Sequence, residues 1–141
     1  MRFCCPPKRP HALLLILLAG SLVAGAPEVR AADHDFPFDR ELLLDVLPMR
    51  GSKRLPALEI DDRGRTVIDL WCNSVEGQIV VVEDTITIMT GNRTERACPP
   101  ERQQGDEELL AALRQVTHWR RDGVTVTLIG PKRLRYRIPT N

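Results

Sequence analysis

Short runs of alternating apolar and polar residues, each closed by a polar corner, recur along this chain and commit it to antiparallel β structure. Thr85-Ile86-Thr87-Ile88 puts both isoleucines on one face. Val124, Val126 and Leu128 alternate with Thr125 and Thr127, and Leu134, Tyr136 and Ile138 alternate with Arg133, Arg135 and Arg137. A period of two sends successive side chains to opposite faces of a strand, so each run offers one face to a core and one to water. The corners carry turn chemistry: Asp61-Asp62-Arg63-Gly64 ends on a glycine free to take positive φ, Glu83-Asp84 reverses the chain, and Asp122-Gly123 is a hairpin pair.

Around these corners the strands fall into hairpins. The segment 56–61 carries Leu58 and Ile60 on one face. After the Gly64 corner, Ile68, Leu70 and Cys72 share one face, with Val67, Asp69 and Trp71 on the other. The segment 78–82 is apolar without alternation, the pattern of a strand covered on both faces, and it pairs with 85–88. A loop is then expected from Gly91 to Pro100. Near the start, 41–46 reads as a short buried strand limited by Pro48 and Gly51, behind a polar arm whose anchors would be Phe36 and Phe38.

One helix is expected, from about Asp106 to Val116. Asp106 suits a cap, Glu107 and Glu108 suit the positive end of the helix dipole, and Leu109, Leu110, Leu113 and Val116 form one apolar stripe opposite Arg114 and Gln115.

The N-terminus reads as a cleavable signal peptide over 1–31. Arg2, Lys8 and Arg9 form a positive head, and the uncharged small-and-apolar run from Ala12 to Ala24 is shorter than the roughly 20 residues that cross a bilayer. Cleavage is expected after Ala31 or Ala32, giving a periplasmic or secreted protein; the alternative is a chain anchored by an uncleaved N-terminal segment. Residues 32–54 then form an arm and first strand, and 55–141 the main domain. Cys4 and Cys5 would leave with the leader. Cys72 and Cys98 remain, and three states are open to them: a disulfide, which an oxidising compartment favours, two buried thiols, or metal and redox chemistry. No CxxC spacing supports a structural zinc.

Of the 20 basic and 19 acidic residues, four basic and one acidic fall within the first 31, so the mature domain carries a net charge of −2. That balance gives no footprint for nucleic acid. His11, His34 and His118 are isolated, and no nucleophile elbow, zinc-protease helix or phosphate loop is present. The acids Asp61, Asp62, Glu107 and Glu108 each have a structural role at a corner or a helix start. No catalytic residue, cofactor or metal is therefore expected. Arg133, Arg135 and Arg137 form the sharpest surface feature, read either as a patch for anionic partners, a membrane surface included, or as a solvated strand face that discourages edge pairing. Trp71 and Trp119 are expected to pack in the core or at its rim.

Cys72-Asn73, Gly77, Thr94-x-x-Ala97-Cys98, the leucine-rich helix from Glu108 to Leu113, and Gly123 occur in the order found in the META-domain (HslJ-like) family, which the sequence resembles from Leu55 to Ile138. It departs from that pattern at Trp71, where the family usually has glycine. The resemblance implies an α+β fold, a curved, barrel-like antiparallel sheet packed around one helix. It also implies no catalytic residues and a broad link to the cell envelope and to stress. The function expected from this is that of a non-enzymatic envelope protein that binds another protein or an envelope component. The alternative is a small secreted hydrolase inhibitor presenting the 92–100 loop.

Overall fold

The computed structural model describes residues 35–140; the leader and its expected cleavage at Ala31 or Ala32 lie outside the described residues. Among the described residues the chain forms strands β1 (Arg40–Leu44), β2 (Ala57–Ile60), β3 (Arg65–Asp69), β4 (Ser74–Val82) and β5 (Thr85–Arg93). Helix α1 (Pro100–Arg114) follows, then β6 (His118–Asp122), β7 (Thr125–Ile129) and β8 (Leu134–Arg137). Each strand pairs antiparallel with the next, and β8 returns to β1 through Leu43 opposite Arg137 and Leu44 opposite Tyr136, closing a barrel. The expected α+β fold, a barrel-like sheet around one helix, is the fold observed.

The barrel interior is filled by the alternating residues. Leu42, Leu58, Ile68 and Val75 face one another across β1 to β4 and are at most 1% exposed. Tyr136, Val126 and Leu128 continue the core on the far side, and burial pushes the Tyr136 phenol well above its ordinary pKa. The corners behave as their residues require. Gly64 has φ of +76°, and a side chain there would run into the Ile79 carbonyl. The Asp61 carboxylate closes the same turn by accepting from the Arg63 and Arg65 amides at 2.9 and 2.8 Å. Gly123, with φ of +58°, opens the β6–β7 turn.

Several expectations need correction. The strand after Gly64 stops at Asp69, so Leu70 and Cys72 lie in a tight reversal closed by the Leu70 amide on the Asn73 carbonyl. β4 is covered on one face only: Val80 and Val82 are 46% and 63% exposed, because a closed barrel has a single interior. β5 runs on to Arg93 where a loop was expected. Its register against β4 shifts between Val75 and Gly77, and Gly91-Asn92 accommodates that irregularity within a strand. β6 carries little apolar signal of its own. It is held by β7 and by Trp119, whose amide and indole N–H bond the Asp84 and Glu83 carbonyls of the β4–β5 turn. Trp119 is buried, with Phe36 edge-on at 5.0 Å, which anchors the N-terminal arm.

The helix begins six residues before Asp106. Pro99 precedes it without a side-chain cap, and Pro100 occupies the first turn, where a missing N–H costs nothing. Leu109, Leu110, Leu113 and Val116 join the barrel core as the spacing predicts, with Ala112 beside them, although the helix itself ends at Arg114 and Val116 follows it. β5 and β6 meet only at Thr85 opposite His118, and α1 lies along β5 beside that gap: Glu107 pairs with Arg93, and Arg114 donates to Thr90 Oγ1. Leu113 is fully buried, so Leu113→Ala should cost about 2–5 kcal/mol. Urea denaturation checks this, and an unchanged midpoint would place Leu113 outside the core.

Candidate functional site

Two places draw together the residues that the strand-and-turn pattern leaves unexplained. The first is a buried polar node where the β3–β4 reversal meets the helix. Asp106, fully buried in the second turn of α1, accepts from the Cys72 amide at 3.1 Å, the Asn73 amide at 3.0 Å and Asn73 Nδ2 at 3.1 Å. Asn73 Oδ1 in turn accepts from Thr94 Oγ1 at 3.0 Å and the Arg96 amide at 2.9 Å. Thr94 Oγ1 accepts from the Ser74 amide. The disulfide between Cys72 and Cys98 closes the node, with Cα atoms 6.1 Å apart. Asp106 is therefore no helix cap: it satisfies the amides of a reversal 33 residues away in sequence. Both cysteines are half-buried, so the bond sits at the rim of the barrel and not in its core, as the strand reading of Cys72 required. Each polar group here is occupied by another, which makes the node a structural tie.

The second place is a cleft of about 320 Å³ beside that node, between the β1–β2 loop, α1 and the start of β8. Met49, Trp71, Leu109 and Leu134 give it an apolar lining, and Lys132, Arg133 and Arg135 stand at its edge with Asp45 and Glu108. Gly105 makes the arrangement fit. A side chain on that helical glycine would collide with the Met49 methyl and the Trp71 indole, so its absence lets both settle against α1. The tryptophan at position 71 thus finds its space in the helix. Arg102 donates to the Gly51 carbonyl at 2.5 Å and ties the loop to the helix as well.

The arginine stripe is exposed throughout, and the structure divides it. Arg137 pairs with Asp45 at 3.2 Å and Arg135 reaches the same carboxylate at 3.9 Å, while the side chains of Arg133 and Lys132 have no ion-pair partner among the described residues. The loop tip above Asp45 is apolar and open to water: Leu47 is 89% exposed and Val46 42%. Sequence reasoning missed this tip, because Val46 read as the end of a strand. Gly105 and Lys132 also gave no signal, since their roles depend on what packs against them.

A larger, open concavity of about 790 Å³ lies on the outer face of β1 to β4. It is lined by Asp39, Glu41, Glu59, Asp61 and Glu76 with Arg40 and Arg65. Glu41 sits directly opposite Glu59, and Arg65 is engaged by Asp61 at 2.6 Å. No group of histidine, cysteine and carboxylate side chains suited to a metal ion occurs among the described residues. No helix among them is long and apolar enough to cross a membrane.

In a comparison against family models, residues 45–138 match the META domain. The chain belongs to the META domain family. Two solved structures share the fold of this META domain. One, an NMR structure of a protein from Burkholderia xenovorans, is 15% identical and aligns over 96% of this chain and 100% of that one, with a TM-score of 0.61. The other, also an NMR structure of a protein, is 16% identical over 71% of this chain and 89% of that one, with a TM-score of 0.57. At such identities they establish the fold alone. A comparison with curated proteins finds no match.

Proposed function

We propose that this META domain is a non-enzymatic binding module of the cell envelope, exported by its N-terminal leader, and that the cleft between the β1–β2 loop, α1 and β8 is its contact site. The observation that supports this reading is the cleft's make-up: an apolar lining under a cationic edge, beside exposed Val46 and Leu47. Sites that hold a ligand or partner combine apolar area with a few placed polar groups, and this cleft does so. The export part of the proposal rests on the positive head and short apolar run of residues 1–31.

The immobilised protein should retain a defined component from an envelope extract, and Arg133→Ser with Arg135→Ser should lose it. Identical material on both columns would overturn the assignment of this site. The inhibitor reading has one observation in its favour. Residues 93–97 are exposed, yet they are held by the Asn73 bonds and the disulfide, as a rigid inhibitory loop would be. Capture of one dominant hydrolase, unaffected by the arginine changes, would select it.

A further inference from the structure

Building on that contact site, we propose that the envelope component is the bilayer surface itself, with Leu47 entering an anionic phospholipid layer and Lys132, Arg133 and Arg135 meeting its phosphates. Leu47 is the most exposed large apolar side chain described, and Val46 accompanies it at the same tip. The tip is not open through looseness. Its base is fixed by the Ser52 amide on the Met49 carbonyl, by Arg102 on the Gly51 carbonyl, and by Met49 against Gly105. A held loop that presents a leucine to water has a shape suited to insertion.

The charges beside the tip point the same way. Val46 and Met49 line the same cleft as Lys132, Arg133 and Arg135, so the apolar tip and the cations occupy one side of the molecule. The acids there are Asp45, engaged by Arg135 and Arg137, and Glu108, which accepts from Gln104. Lys132 and Arg133 have no ion-pair partner among the described residues. Arg135 is only 3.9 Å from a carboxylate that Arg137 holds more closely, at 3.2 Å, so the cations on this side outnumber the acids. Apolar side chains next to lysine and arginine are the combination that holds a protein at an anionic interface, where burial and electrostatic attraction add. A protein partner would have to supply a pocket for a convex tip, whereas a lipid layer deforms around it.

The test places an indole at the tip, Leu47→Trp, in the full chain and measures quenching by vesicles of acyl-brominated phosphatidylglycerol. The readout is local to position 47, so a bound N-terminal segment does not mimic it. At low salt the variant should be quenched beyond the parent protein. Quenching should vanish with vesicles of acyl-brominated phosphatidylcholine and fall as salt screens the charges. Arg133→Ser with Arg135→Ser should weaken binding about fivefold per charge, roughly 25-fold together. All these positions are exposed, and near-UV circular dichroism verifies the fold. Absent excess quenching, or quenching indifferent to lipid charge and to the arginines, would overturn the proposal. If the extract column still retains a protein through the arginines while quenching is absent, the contact site stands and its lipid occupant falls. If both experiments fail, the contact site falls too.

Discussion

Asp106→Ala should destabilise the domain by about 3–5 kcal/mol, more than most single truncations of its core. Three donors, the amides of Cys72 and Asn73 and the Asn73 side-chain N–H, converge on this one buried carboxylate. Each buried donor left without a partner costs about 1–3 kcal/mol, and admission of water to the new space offsets part of the sum. Asp106→Asn separates charge from shape. Its amide keeps one acceptor oxygen but turns an N–H₂ toward groups that themselves donate, so it should lose most of the same stability. Urea midpoints of the three proteins at neutral pH check this. An Asp106→Ala protein within 1 kcal/mol of the parent would remove the node from any account of the fold.

Loss of the disulfide should come close behind. Cys72 and Cys98 are separated by 26 positions, and closing a loop of that length in the unfolded chain is worth about 3–4 kcal/mol in the chain-entropy description. In a domain with a total stability of about 5–15 kcal/mol that is a large share. Cys72→Ser with Cys98→Ser should lower the Tm, and reductant should lower the parent but leave the double variant unchanged. Two titratable thiols in the unfolded, unreduced protein, at positions 72 and 98, would refute the bond. Because Asn73 adjoins Cys72 and sends Nδ2 to within 3.3 Å of Cys98 Sγ, the bond and the Asp106 node hold the same segment. Their losses should therefore be non-additive, the triple variant losing less than the two effects summed.

The placement of this tie brings together sequence elements that lie far apart along this chain. Cys-Asn supplies the reversal, Thr94 and Cys98 supply the return segment, and Asp106 supplies the acceptor between them. The tie stands at the β3–β4 reversal of a barrel whose β5–β6 seam is a single residue pair. With the loop 94–99 pinned on one side and the Leu109–Leu113 stripe buried on the other, α1 is fixed along that seam. The cleft exists because the same helix carries Gly105 opposite Trp71 and Met49. Structural tie and cleft thus share one helix turn, where Asp106 faces inward and Gly105 faces the cleft.

The hairpins, the inward residues of β2, β3, β5 and β8, and the leucine face of the helix were legible in the sequence. In β7 Val126 and Leu128 turn inward as expected, but Val124 belongs to the turn and is 47% exposed, and Thr127 is buried. The legible features are local properties: a period of two or of 3.6 and a glycine at a corner act over a few residues, and burial then follows the pattern. The cysteines were legible as candidates for a pair, not in their position at the rim. The role of Asp106 was hidden because a carboxylate near a helix start looks like a cap from its neighbours alone. Its true partners lie 33 and 34 positions away, and only the path of the chain brings them together. β6 was hidden for the same reason, since its pairing with β7 and Trp119's bonds to the β4–β5 turn stand in for a pattern of its own. The cleft was the least legible feature, because a concavity made by the absence of a side chain at Gly105 is defined entirely by what packs around it. Sequence alone determined which faces of these segments would be buried, because local periodicity carries that information; tertiary structure decided which donors meet which acceptors and where the surface is left open, because those depend on distances between segments that no local pattern encodes.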